Sequence, residues 1–192
     1  MSMPPKTRIT KDGIVQSAVE VTKRSGYEAI NARTVSERLH CSTQPVMYHF
    51  STIDALKRAA YAQVDQLHSE YIMTIPPQQD PILGIGLNYI RFAVEEPQLF
   101  CFLFQSGYAE ENDLIEMLDS EELAPVLDAI QEGLGMDREK TKSVFLTVAL
   151  FAHGYASMLA NNALAYDETR IAEHLESAWN GAVLAAAQEE KR

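Results

Sequence analysis

The sequence predicts an all-α protein with a small N-terminal head and a larger helical body. Three observations support this fold class. Apolar residues recur at helical spacing along almost the whole chain, polar caps and prolines stand between the apolar runs, and no stretch shows the sustained alternation of a β-strand. The 192 residues are 46% hydrophobic and 22% charged, which is an ordinary composition for a folded globular protein.

Three helices are predicted in the first 50 residues. Each begins after a residue that favours the N-cap position, and these caps are Thr10, Asn31 and Ser42. Gly26 stands where a left-handed residue is wanted after the first helix. The inward-facing apolar residues of the first two helices are Ile14, Ala18, Val21, Val35 and Leu39.

The rest of the chain is predicted to form longer helices. A fourth helix opens at Thr52 and Asp54, and another begins at Asp80-Pro81 and stops before Pro97. Two last long helices follow the caps Asp137 and Asp167. Between Gly107 and Pro125, seven acidic and no basic residues predict a solvated loop or a surface helix.

The charge is distributed unevenly between head and body. Residues 1–60 carry nine Lys and Arg against five Asp and Glu, whereas residues 61–192 carry seven against twenty-two. Because the acidic body repels phosphate, any nucleic-acid contact is expected to be confined to the basic head.

The sequence also bears on the cellular compartment. Cys41 and Cys101 form neither a disulfide framework nor a zinc pattern, so we expect two reduced thiols. The N-terminus lacks the apolar core of a signal peptide, which predicts a cytoplasmic protein. Residues 143–166 carry no charge, but several polar residues within them favour a helix buried by protein over a membrane span.

The uncharged segment CSTQPVMYHF, residues 41–50, is typical of a recognition helix. The second helix, a turn at His40-Cys41 and the third helix together predict a helix-turn-helix. Thr43, Gln44 and Pro45 are suited to reading base edges, and Tyr48 and His49 to reaching phosphates. For His49 and Phe50, packing in the core is at least as good an interpretation as contact with DNA.

Residues 8–58 resemble the DNA-binding domain of the TetR family of bacterial transcription regulators. Segments 92–104 and 150–159 resemble, more loosely, one class of the family's ligand-binding domains. The resemblance implies a DNA-binding domain at residues 1–56 and a ligand-binding and dimerisation domain at residues 57–192. The matching residues are Ile14, Ala18, Gly26, Val35, Leu39, Ser42, Tyr48, His49, Phe50, Asp54 and Leu56.

Several positions depart from the family pattern. His40 occupies the turn position that is usually glycine, and it must tolerate or avoid a positive φ. Met47 replaces a common tyrosine, while Ser51 and Ile53 stand where relatives often carry lysines. Phosphate contacts are therefore expected to depend more on Lys6, Arg8, Arg33 and on helix N-termini such as that at Ser42.

The resemblance implies that the body dimerises through its last two helices, about Arg138 to Asn161 and Glu168 to Ala187. Small and apolar residues suit that interface: Ala149, Ala152, Ala156, Ala172, Leu175, Trp179 and Val183. A second set could line an effector pocket, although each member is also an ordinary core residue: Tyr89, Phe92, Phe100, Phe104, Tyr108, Phe151, His153 and Met158.

Sequence motifs for other chemistry are weak. Glu37-x-x-His40 lacks the second copy that a di-iron site needs, and Gly84-Ile85-Gly86 follows no strand, which favours close helix packing over dinucleotide binding. We therefore expect no enzyme, metal or cofactor. The sequence predicts a homodimeric repressor that binds a palindromic operator and is released by a small, largely apolar effector. The alternative is a helical binding or scaffold protein without DNA affinity.

Overall fold

The structure is a computed structural model that describes residues 9–109, 118–121, 123–162 and 164–188. Its described residues contain nine α-helices, one 3-10 helix at Tyr27–Ala29 and no strand, so the all-α prediction is confirmed. The α-helices are α1 (Lys11–Ser25), α2 (Ala32–Arg38), α3 (Thr43–His49), α4 (Ile53–Ile72), α5 (Pro81–Glu95), α6 (Pro97–Gln105), α7 (Ala124–Leu134), α8 (Arg138–Asn161) and α9 (Glu168–Gln188).

Most of the helices begin at the caps that the sequence predicts. Thr10 Oγ1 accepts from Gly13 N at 3.1 Å, and Asn31 forms a capping box with Thr34. Asp80, Asp137 and Asp167 each accept a backbone N–H in the first turn that follows them. Ser42 has the extended backbone of an N-cap, but its side chain makes no capping bond, which leaves its hydroxyl exposed.

The described chain packs as two compact units. The first unit comprises the residues through Ser69 together with Glu96–Tyr108, and the second comprises Glu70–Glu95 and the residues after Tyr108. Helix α4 is continuous from Ile53 to Ile72, so its last turn belongs to the second unit.

The core of the first unit holds the three short helices together. Ile14, Ala18, Val35, Val46 and Phe50 are buried there, each 4% exposed or less. An aromatic cluster ties the head to α6. Within it the Tyr27 ring stacks on Phe102 with centroids 5.1 Å apart, and Tyr61 and Tyr108 contact the Phe102 ring edge to face.

In the second unit, α5 packs against α8 and α9, while α7 packs on α8. The glycines of α5 allow close packing, as the sequence indicated. A methyl group at Gly84 would come within 2.7 Å of Ile75 Cγ2, and one at Gly86 within 3.4 Å of Leu175 Cδ1.

Candidate nucleic-acid interface and effector-binding residues

Helix α3 is anchored by its inner face. Val46 is fully buried and Phe50 is 4% exposed. Side chains three and four residues apart share one face of a helix, so fixing Val46 and Phe50 in the core turns the opposite face outward. The two buried anchors thus set the orientation of the whole helix.

The outward face of α3 consists of four exposed side chains, Thr43, Gln44, Met47 and Tyr48. Tyr48 is 84% exposed and Met47 is 43% exposed, which are large values for side chains of this size. A hydroxyl, an amide, a thioether and a phenol on one face can donate to base edges, accept from them and contact thymine methyl groups.

Pro45 and His49 flank this face and are half-buried. The His49 ring contacts the Tyr48 ring edge to face, with centroids 5.3 Å apart. His49 therefore supports the position of Tyr48 while part of its own ring stays accessible.

Met47 is the residue of this face that the sequence analysis did not assign to DNA reading. In the sequence it stands out only as a replacement for a tyrosine that is common in the family. Its spacing from Thr43 and Gln44, four and three residues, is the signal that would have placed it on the same face.

The turn between α2 and α3 is strained at His40. Its φ is 52°, and it is the one described non-glycine residue with a positive φ. The turn is held by Cys41 N, which donates to Ser36 O at 3.0 Å, and by His40 N, which donates to Glu37 O at 3.2 Å. Of the two alternatives that the sequence leaves open at this position, His40 adopts the positive φ rather than avoiding it.

The basic residues of the head are mostly engaged within it. Arg33 is exposed but pairs with Glu37 at 2.7 Å, and the pair raises the pKa of the Arg33 guanidinium through the hydrogen bond to Glu37. Lys11 lies over the Phe50 ring at 5.5 Å, next to α3. Lys6 and Arg8 lie outside the described residues. A phosphate that binds Arg33 must compete with the Glu37 carboxylate for it.

The eight residues predicted to contact an effector fall in both units. Phe100, Phe104 and Tyr108 belong to the first unit, where the Phe100 and Phe104 rings lie 4.8 Å apart. Tyr89, Phe92, Phe151, His153 and Met158 belong to the second unit. Phe92 is 3% exposed and packs edge to face on Tyr71.

Tyr89 and His153 form a polar contact between α5 and α8. The Tyr89 hydroxyl lies 2.8 Å from His153 Nδ1, and Ser157 Oγ lies 3.3 Å from His153 Nε2. Burial raises the pKa of Tyr89 and lowers the pKa of His153, so at neutral pH Tyr89 is a protonated phenol and His153 a neutral imidazole. Because both groups are neutral, an uncharged ligand can form hydrogen bonds with them without any charged group being buried.

Phe151 and Met158 instead line a surface groove between α8 and α9, together with Leu150, Gly154, Leu164 and Ile171. The groove has a volume of about 1090 Å³. Leu150 is 51% exposed and Met158 is 58% exposed. Among the described residues, α8 is also the one helix long and apolar enough to cross a membrane, by length and composition alone.

Among the residues that the structure describes, no three His, Cys, Asp or Glu side chains are grouped so that they could hold a metal ion. Nothing in the geometry described above therefore points to a metal centre.

Comparison with known proteins places this chain among regulators. Residues 82–179 match the family of tetracycline repressor-like C-terminal domains. No curated protein sequence matches the chain. Similar solved structures include a TetR-family transcriptional regulator from Streptomyces coelicolor, at 14% identity and a TM-score of 0.67, covering 93% of this chain and 82% of that one.

Two further solved structures share the fold. A putative transcriptional regulator from Pseudomonas aeruginosa PAO1 is 16% identical, with a TM-score of 0.62, and the match covers 97% of this chain and 95% of that one. A TetR variant from Acinetobacter baumannii AYE in complex with minocycline is 16% identical, with a TM-score of 0.53 and coverage of 96% and 98%. With the family match spanning half of the sequence and an N-terminal helix-turn-helix, the chain belongs to the TetR family of transcriptional regulators.

Proposed function

We propose that this protein is a homodimeric, cytoplasmic repressor without catalytic activity, which binds a palindromic operator and is released by a small, largely apolar effector. The observation that carries the proposal is the outward face of α3. Gln44 and Tyr48 are exposed there on a helix whose inner face is fixed in the core, which leaves their polar groups available to a DNA duplex.

The charge distribution supports binding through the head. Most basic side chains of one helix-turn-helix are already paired within it, so a single head offers DNA a small contact area and little positive charge. Tight binding therefore needs two heads. We propose that Thr43, Gln44 and Pro45 read bases, and that Ser42, Tyr48, His49 and Arg33, with Lys6 and Arg8, contact the sugar-phosphate backbone.

The uncovered face of α8 and α9 supports a second copy of this chain as the partner. Of the apolar window in α8, 17% is buried within the protomer. The exposed large apolar side chains on α8, on α9 and in the segment between them are Leu150, Phe151, Met158, Leu164 and Leu184. The two acidic bodies of a homodimer repel each other, but pairing of their apolar faces removes these faces from water and so favours association.

The predicted interface residues divide between two roles in this proposal. Ala152, Ala156 and Leu175 are buried inside the protomer, and Leu175 packs beside Gly86 of α5. Ala149, Ala172, Trp179 and Val183 are half-buried and flank the uncovered face. A second copy would complete a four-helix interface from the α8 and α9 helices of both protomers.

For the effector, we propose a ligand with an apolar body and an uncharged polar group that meets Tyr89 and His153. The similar structure from Acinetobacter baumannii AYE is a complex with minocycline, which supports a small molecule as the kind of effector. Phe92 is the proposed apolar contact from the same unit, whereas Phe151 and Met158 belong to the face proposed for the second copy, and Phe100, Phe104 and Tyr108 lie in the first unit. Binding would release DNA by changing the separation of the two heads, with a coupling of roughly 1–3 kcal/mol.

Selection from a pool of random duplexes tests the proposal. The protein should enrich a two-fold symmetric sequence, and fluorescence anisotropy should then show salt-dependent binding to it. Gln44→Ala should reduce discrimination against random DNA by roughly 1–3 kcal/mol, because the amide would no longer pair with a base edge. Gln105→Ala, an exposed glutamine on α6, is the matched control and should bind as the parent. No enrichment, or equal losses for both variants, would contradict base reading by α3.

A further inference from the structure

The end of helix α4 is capped by a side chain from α5. Asn88 Nδ2 lies 3.5, 3.3 and 3.0 Å from the carbonyl oxygens of Tyr71, Ile72 and Thr74. The last carbonyls of a helix have no partner within the helix, and Asn88 is buried at 5% exposure. Its amide therefore fixes the end of α4 on α5.

A second contact strengthens this attachment. The Tyr71 hydroxyl donates to Glu95 Oε2 at 2.7 Å, and the Tyr71 ring packs on Phe92. Burial, followed by the hydrogen bond to Glu95, raises the pKa of Tyr71 to about 12, so the phenol remains a donor at neutral pH. Asn88, Phe92 and Glu95 lie at helical spacing along the face of α5 that receives α4.

Arg91 determines which way the Asn88 amide points. Arg91 Nη1 donates to Asn88 Oδ1 at 3.2 Å, which directs the amide N–H groups toward the carbonyls of α4. Arg91 Nη2 also pairs with Glu168 Oε2 at 2.8 Å, and the Tyr166 hydroxyl donates to the same oxygen at 2.9 Å. The hydrogen bond from Arg91 lowers the pKa of Glu168, which keeps its carboxylate charged.

Glu168 is the first residue of α9, and its neighbours in sequence border the surface groove. Leu164, Ala165 and Asp167 line that groove, while Tyr166 and Glu168 hold Arg91. A molecule seated in the groove therefore contacts the segment that positions the Arg91 guanidinium.

We propose that Asn88 and Arg91 are positioning residues that couple the α8–α9 face to the end of α4. The inference rests on the proposed homodimer, in which a second copy occupies the groove. Contact with that copy orders residues 164–167, Glu168 then holds Arg91, and Arg91 holds the Asn88 amide against α4. The last residues of α4 and the turn after it are thereby held on α5 within the second unit.

Hydrogen exchange of residues 70–75, followed by mass spectrometry at protein concentrations below and above dimerisation, tests this coupling. The variants are Arg91→Met and Asn88→Leu. The matched control is Arg138→Met, which removes an arginine of similar exposure, 34% against 32%, from its pair with Asp128.

In the parent and in Arg138→Met, exchange at residues 70–75 should slow as the dimer forms. In Arg91→Met it should be about tenfold faster and independent of concentration, because the amide is no longer oriented, while dimerisation changes by less than about threefold. Asn88→Leu should give the same exchange rates, and the double variant should add nothing to either single change.

If Arg91→Met and Arg138→Met are both dimeric and exchange equally at residues 70–75, the coupling is overturned and the homodimer stands. A parent that stays monomeric would contradict the homodimer and the coupling together. If Arg91→Met speeds hydrogen exchange in α8 as well, the substitution has loosened more than the end of α4, and Arg91→Lys is then the deciding variant. Its ammonium keeps a charge pair with Glu168 but cannot hold both partners, so only residues 70–75 should lose protection. A lysine variant with parental exchange would overturn the proposal.

Discussion

His68 makes the stability of this protein depend on pH. It lies on α4 within the first unit, is 7% exposed and contacts the Phe104 ring edge to face at 5.4 Å. Burial lowers the pKa of His68 from 6.5 to about 4, because the imidazolium would lose its hydration. Between these two values the unfolded chain binds a proton that the folded chain does not, so stability falls as the pH drops from 6.5 to 4.

The size of this effect follows from the two pKa values. At about 1.36 kcal/mol per pH unit, the interval from 6.5 to about 4 corresponds to about 3 kcal/mol. About 2 kcal/mol of this should be lost by pH 5, and nearly all of it by pH 4. Domains are typically stable by only about 5–15 kcal/mol, so the loss is readily measured.

His68→Gln removes the titrating group and keeps a neutral polar side chain of similar size. Urea unfolding at fixed protein concentration from pH 7.5 to 4 should show that the parent loses about 3 kcal/mol more than the variant. All other titrating groups are shared, so the difference between the two curves isolates His68. Parallel curves would refute the assignment of the buried neutral state to His68.

Three other changes test separate parts of the account. His40→Gly should raise the free energy of unfolding by about 1 kcal/mol, since glycine adopts the φ of 52° without strain; an unchanged melting temperature would contradict this. Asn31→Ala should lower it by about 1 kcal/mol through loss of the capping box, as chemical denaturation would measure, and an unchanged value would mean that the cap contributes nothing. Leu150→Glu should weaken dimerisation at least about 100-fold in sedimentation experiments, whereas Met73→Glu, equally exposed but outside the groove, should not; equal dimers in both would place the interface elsewhere.

Helix boundaries were predictable wherever a local signal marks them. Asp137 and Asp167 placed the starts of α8 and α9 correctly, because a cap acts on the backbone of its own first turn. Pro97 marked the end of α5, although the sequence analysis did not identify the following α6 as a separate helix.

The recognition face was predictable in part. The exposure of Thr43, Gln44 and Tyr48 is predictable, because Ser42 marks the start of the helix and helical spacing places these residues opposite the buried Val46. The pairing of Arg33 with Glu37 could also have been anticipated from their spacing of four residues.

Other features depend on packing between distant segments. Asn88 caps α4 at Ile72, which is sixteen residues away in the sequence, and Tyr89 contacts His153, which is sixty-four residues away. Neither contact leaves a local pattern in the sequence. They arise because Asn88 of α5 meets the end of α4 while α5 packs against α8, and that arrangement is a property of the folded unit.

In the proposed binding mode, the two α3 helices of a homodimer read one palindrome together. The most direct measurement is the affinity for a selected palindrome compared with the same sequence carrying five extra base pairs between its half-sites. The reading helices of a dimer must match about one helical turn, roughly 34–36 Å, and five base pairs place the second half-site on the opposite side of the duplex. The insertion should reduce the affinity to that of a single half-site. Equal affinity for both duplexes would contradict this binding mode.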